Sequence, residues 1–99
     1  MIVIERYARL YPLPRAFRFD GEAMRIFQRL GIVDELSGEL GEIDRLAWIG
    51  ADGEPTLEID ASSPHASGWR HDYLFYQPAL EQALDRAARA QPTLELRRG

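Results

Sequence analysis

The sequence predicts an α/β fold with α+β character: parallel strands at residues 2–5 and 93–97, a crossover helix at 78–90, and an inserted antiparallel hairpin at 43–60. Three observations carry this. A β-branched apolar run opens the chain, and a second short apolar strand closes it. An Ala-rich amphipathic segment precedes that closing strand, and a helix between two strands normally returns them parallel and right-handed. Between these segments the apolar period changes from about 3.6 to 2, which is the change from helix to sheet.

Element by element, Ile2 to Glu5 is too brief and too β-branched for a helix and reads as a buried strand ending on an acid. Residues 6–19 read as a loop, because Pro12 and Pro14 exclude a regular element. Structureless connections of that length are usually functional. Asp20 is a good helix N-cap with Glu22 in the first turn, and Ala23, Ile26, Phe27 and Leu30 mark one stripe up to Gly31, which ends the helix. A weaker helix is expected over 33–40.

Period two follows. Residues 43–49 and 56–60 flank Asp52-Gly53, a strong hairpin signal. Leu57 and Ile59 alternate with Glu58 and Asp60, which predicts one wet face. A polar loop at 61–72 leads to a strand at 73–76. Gln77-Pro78 then opens the last helix, with Pro78 at the first helical position, where its missing N–H costs nothing. Leu80, Ala83, Leu84, Ala87 and Ala88 are its apolar stripe, Gln91-Pro92 ends it, and a strand at 93–96 follows.

Composition narrows the classes. With 99 residues, 45% hydrophobic, the chain makes one domain at most. No apolar stretch approaches the ~20 residues of a membrane span, and the N-terminus lacks the pattern of a signal peptide. There is no cysteine, hence no disulfide or thiolate chemistry, and a cytoplasmic location is the default expectation. The net charge of −4 is unevenly spread: residues 1–30 carry six arginines against three acids, and residues 31–60 one against nine. The acidic balance argues against general nucleic-acid binding, while the basic first third could hold one compact anion. All its cations are arginine, whose planar fork suits phosphate, although the coding bias of a GC-rich genome produces the same preference.

Candidate site residues follow from position. In dinucleotide-binding folds an acid at a strand's C-terminal end hydrogen-bonds the adenosine ribose, and its glycine-rich phosphate turn lies ~20 residues upstream. Glu5 occupies such a strand end, with no room upstream for the turn. The likeness is therefore accidental, or the chain is a fragment of a larger flavoprotein. Arg15 in the long loop is a phosphate ligand or a solvated charge, and Gln77 a ligand or a helix cap. The helix starting near Asp20 could aim its dipole at an anion, with the Asp20 carboxylate competing for that place. His65 and His71 have neither zinc spacing nor a nearby nucleophile, so no metal or hydrolytic site is expected.

Taken in order, ERYARLYPLPRA (5–16), FDGEAMRIFQRLGIVDEL (19–36), the hairpin, GW (68–69) and LFYQPALEQAL (74–84) resemble the p-hydroxybenzoate-hydroxylase-like FAD monooxygenases, with the nearest likeness to 3-(3-hydroxyphenyl)propionate hydroxylases. The resemblance covers essentially the whole chain. It implies a single partial FAD/NAD(P)-binding Rossmann-like domain over residues 1–99, lacking the N-terminal glycine-rich turn and the C-terminal part of the enzyme. It also implies FAD as cofactor, NAD(P)H as co-substrate, O2, and a small phenolic substrate. Glu5 matches the acid on the adenosine ribose, Arg15 the arginine near the pyrophosphate and ribityl chain, and Gln77 the glutamine contacting the flavin chain. The catalytic residues are not identified. Two alternatives stand beside this reading: another FAD-dependent oxidoreductase of the same fold, and a small non-catalytic α+β interaction module.

Overall fold

The first and last strands lie side by side. In the computed structural model, which describes residues 1–99, β1 (Ile2–Glu5) pairs in parallel with β7 (Glu95–Arg98), and Ile2 faces Glu95 while Glu5 faces Arg98. The expected parallel pairing is present, but the last strand starts later than 93. Leu94 N–H still bonds Gln91 O in the turn after Pro92, and the Thr93 carbonyl accepts from the Met1 amino group at 2.6 Å. The first bond holds Leu94 in the turn, while the Met1 amino group and carbonyl, bonded to Thr93 O and Glu95 N–H, continue the parallel hydrogen-bond pattern one residue beyond the strands. The first strand, expected to be buried, is instead exposed: with β7 as its one neighbour, Ile2, Val3 and Ile4 all face solvent, Ile4 by 80%.

The remaining strands are antiparallel. β2 (Arg18–Asp20), β3 (Leu40–Glu42) and β6 (Asp72–Phe75) form a three-stranded sheet in the order β2-β6-β3, and β4 (Arg45–Ile49) and β5 (Pro55–Asp60) form the hairpin. Three helices complete the chain: α1 (Gly21–Leu30), α2 (Val33–Leu36) and α3 (Gln77–Arg89). The helix expected as a crossover within one parallel sheet, α3, instead joins β6 of the antiparallel sheet to β7 of the parallel pair.

The sequence reading is corrected in four further places. The loop expected over 6–19 stops short of β2, because Phe19 is drawn onto β6 and packs against Phe27, Tyr73 and Phe75 at 4.9–5.6 Å between ring centroids. The helix expected over 33–40 breaks after Leu36 into a 3-10 turn at Ser37–Glu39, and Leu40 joins the sheet opposite Phe75. On α1 the buried face is Met24 and Phe27 with Ala23, whereas Ile26 and Leu30 face solvent. The hairpin keeps its alternation, but both faces are wet: Leu46 lies opposite Ile59 and Trp48 opposite Leu57, and Trp48, Leu57 and Ile59 remain about half exposed.

Met24, Phe27, Ile32, Leu36, Tyr73, Leu80 and Ala83 form the core, which joins all three helices to β6. Burial of such side chains contributes ~1.5–3 kcal/mol each. Capping sharpens α1: Asp20 Oδ1 accepts from Ala23 N–H at 3.0 Å, and Gly31, at φ 72°, closes the helix in the left-handed conformation glycine favours. Arg70 ties the hairpin to this body. Its guanidinium donates to Ser62 O at 2.7 Å, pairs with Asp44, and lies 3.1 Å from Glu42 Oε2. No helix is long and apolar enough to cross a membrane.

Candidate functional site

Parallel pairing brings the C-terminal ends of β1 and β7 to one edge, where α/β folds bind ligands. A cleft of about 530 Å³ opens there. Glu5, Tyr11, Arg15, Glu81 and Arg98 are among the residues that line it. Glu5 and Arg15, ten residues apart in the sequence, thus face one space. Glu5 Oε1 accepts from Tyr7 N–H at 2.9 Å, and its other carboxylate oxygen has no partner within the chain. The Arg15 guanidinium pairs with no carboxylate and lies 4.4 Å from the centroid of the Tyr11 ring, a stacking that orients it without neutralising it.

Gln77 stands behind this cleft rather than in its wall. Its amide oxygen accepts from Arg15 N–H at 2.6 Å and Ala16 N–H at 2.8 Å, while its Nε2 donates to Glu81 Oε1 at 2.6 Å. The glutamine is neither a free ligand nor a cap of its own helix. It holds the arginine loop, leaving one N–H of its amide unused.

Of the three arginines that line the cleft, Arg9, Arg15 and Arg98, the last is already paired. Arg98 Nη2 and Nε reach Asp85 Oδ1 at 3.0 and 3.2 Å, and Arg89 Nε reaches Asp85 Oδ2 at 2.7 Å. The Arg89 hydrogen bond, partly opposed by burial and reinforced by Arg98, holds the Asp85 carboxyl below its usual range. Arg15 and Arg9, and not Arg98, are therefore the cations with charge to offer an incoming anion, and of these Arg15 is the one oriented by a ring.

The other expected candidates fall elsewhere. At the start of α1 the Asp20 carboxylate takes the helix N–H, and the close approach of the 65–71 loop covers the first turn: Gly21 N–H donates to His71 O at 3.1 Å. His65 and His71 stack edge to face at 5.3 Å in that loop, and His65 Nδ1 is bonded to Ser67. Sequence reading missed Glu81, Arg9, Tyr11 and Arg98. Two signals were present in the chain: Gln77 and Glu81 are four apart on one helix, and a parallel pair sets Arg98 beside Glu5.

Comparison with known proteins bears on this edge of the fold. A family model described as "FAD binding domain" matches residues 1–99. The chain is 41% identical over 99 residues to a probable NADH-specific resorcinol 4-hydroxylase of Rhodococcus jostii (strain RHA1), covering all of this chain and 19% of that protein. It is 36% identical over 98 residues to a 3-(3-hydroxy-phenyl)propionate/3-hydroxycinnamic acid hydroxylase of Burkholderia cenocepacia (strain HI2424), covering 99% of this chain and 18% of that protein. The chain thus spans about a fifth of the length of these relatives. The crystal structure of p-nitrophenol 4-monooxygenase PnpA from Pseudomonas putida DLL-E4 superposes with a TM-score of 0.73 at 20% identity, over 97% of this chain and 25% of that one, which is a likeness of fold. With the family match running from the first residue to the last, over a fold shared with a monooxygenase, the chain belongs to the FAD binding domain family.

Proposed function

We infer that residues 1–99 form part of the FAD-binding domain of a cytoplasmic flavoprotein monooxygenase that hydroxylates a small phenolic substrate with NAD(P)H and O2. In this reading β1 and β7 are strands of a Rossmann-like parallel sheet. The observation that carries the assignment is the convergence of Glu5 and the unpaired Arg15 on one cleft at the C-terminal edge of that pair. The donor set suits a nucleotide end: a carboxylate with a free oxygen accepts from ribose hydroxyls, and an unneutralised guanidinium donates to phosphate. Relatives with phenolic hydroxylase names extend the reading to the reaction.

Bound FAD supplies the electron transfer from NAD(P)H to O2 and the delivery of oxygen to the ring. This chain's own residues bind and orient. Glu5 takes the ribose hydroxyls, and Arg15, stiffened by Tyr11, takes the pyrophosphate side. Gln77 holds the Arg15 backbone, so its part in cofactor binding runs through the arginine loop.

The test is FAD dissociation from the flavoprotein that carries this segment. Arg15→Ala should weaken binding by about 1.5–3 kcal/mol, the range for hydrogen bonds to a charged group. Glu5→Gln should cost less, since the amide oxygen still accepts. Unchanged affinity in Arg15→Ala would return that residue to a solvated surface charge.

A further inference from the structure

Glu81 is an awkward neighbour for an anion-binding cleft, since its negative charge opposes phosphate and pairs with no cation. Its Oε1 accepts from Gln77 Nε2 at 2.6 Å, one turn earlier on the same face of α3, which fixes the carboxylate without neutralising it and gives its presence a structural reason. Gln77 in turn spends its amide oxygen on the backbone N–H groups of Arg15 and Ala16. Between Ala8 and Ala16 these two are the only hydrogen bonds the chain makes within itself. The whole arginine loop is thus tethered through one amide. A primary amide has a donor end and an acceptor end, and a carboxylate can take only the donor end.

We propose that Glu81 is a positioning residue for the Arg15 loop: by holding the Gln77 amide nitrogen it keeps the amide oxygen on the Arg15 and Ala16 N–H groups, and so sets where the Arg15 guanidinium enters the cleft. The clamp stands on geometry alone. Its consequence for cofactor binding rests on the flavin-nucleotide reading above. Both acids of the cleft wall are then accounted for, Glu5 by its free oxygen and Glu81 by its amide partner.

Amide hydrogen exchange on the ¹⁵N-labelled chain tests this without any flavin. Glu81→Ala should speed exchange at Arg15 and Ala16 about tenfold, the scale of one lost hydrogen bond to a charged group. The Ala23 amide, held by Asp20, should stay unchanged and report that the fold is intact. Glu81→Gln retains an acceptor and should remain within about twofold of the parent. Gln77→Glu sets two carboxylates face to face and should loosen the same two amides. The swap Gln77→Glu with Glu81→Gln restores a donor–acceptor pair and should recover their protection, which keeps the test valid if Glu81→Ala fails to fold. The proposal is overturned if Arg15 and Ala16 exchange at the parent rate in Glu81→Ala while Ala23 stays protected, or if the swap is as loose as Gln77→Glu. The expected exchange pattern, with no FAD binding by the parent flavoprotein, would instead remove the cofactor reading and leave the clamp standing.

Discussion

Gly21→Ala is the sharpest test of how the loop carrying Arg70 is seated. Gly21 is the first residue of α1, and a Cβ built on it would lie 2.6 Å from the Arg70 carbonyl oxygen and 3.1 Å from His65 Cβ. The nearest obstacle is backbone, so no rotamer change relieves it. Alanine would gain up to about 1 kcal/mol in helix propensity over glycine. Overpacking against a fixed group costs about 1–3 kcal/mol. The clash wins, for a net destabilisation of about 1 kcal/mol and at most about 3.

The loss has a particular address. Gly21 N–H bonds His71 O, and Gly21 O accepts from Ser67, so displacing the loop breaks contacts on both sides of Arg70. The hairpin, tied by Arg70 to Asp44 and Ser62 O, should loosen with it. Gly38→Ala is the matched control. No atom lies within 4 Å of its Cβ position and its φ is not positive, so the change should stabilise by about 0.4–1 kcal/mol through the unfolded chain. Urea denaturation of the three proteins, followed by far-UV circular dichroism, reads both signs. A Gly21→Ala variant as stable as the parent, or a Gly38→Ala variant destabilised alongside it, would refute the seating of the loop.

Three further outcomes are expected. Residues 1–99 alone should show no tight FAD complex, because one exposed arginine–phosphate contact does not offset the several kcal/mol of lost ligand freedom; micromolar or tighter binding in a flavin-fluorescence titration would contradict this. Met24→Ala removes a fully buried side chain that joins α1 to the core, so chemical denaturation should show a loss of about 2–5 kcal/mol. Asp85, its carboxyl held below the usual range, contributes stability that is complete above the unfolded value of about 4 and is lost as pH falls through the lower folded value. The stability difference between the parent and Asp85→Asn should therefore be level from about pH 5 to 7 and shrink in acid, and a difference that grew in acid would reverse the assignment.

Local chemistry makes much of this chain legible from the order of its residues. Asp20 and Gly31 bracket α1 because a cap and a left-handed glycine act within one turn. Asp52-Gly53 marks the hairpin and Pro78 the start of α3. The parallel pairing of β7 with β1 is present, but α3 joins β6 and β7, strands of different sheets, so the crossover rule does not account for it. Glu5 and Arg15 can be nominated from a strand end and a proline-bounded loop. Tertiary contacts decided the rest. Three-residue strands such as Arg18–Asp20 and Leu40–Glu42 are too short to show alternation and exist because β6 offers each an edge. Periodicity gives the spacing of a helix face but not its phase, so only packing against Phe19 and Tyr73 could choose Met24 and Phe27 over Ile26 and Leu30. The same holds at the site: Gln77 is 62 residues from Arg15, and their hydrogen bond forms because the start of α3 and the arginine loop share one edge of the fold, a proximity that no local preference of either segment encodes.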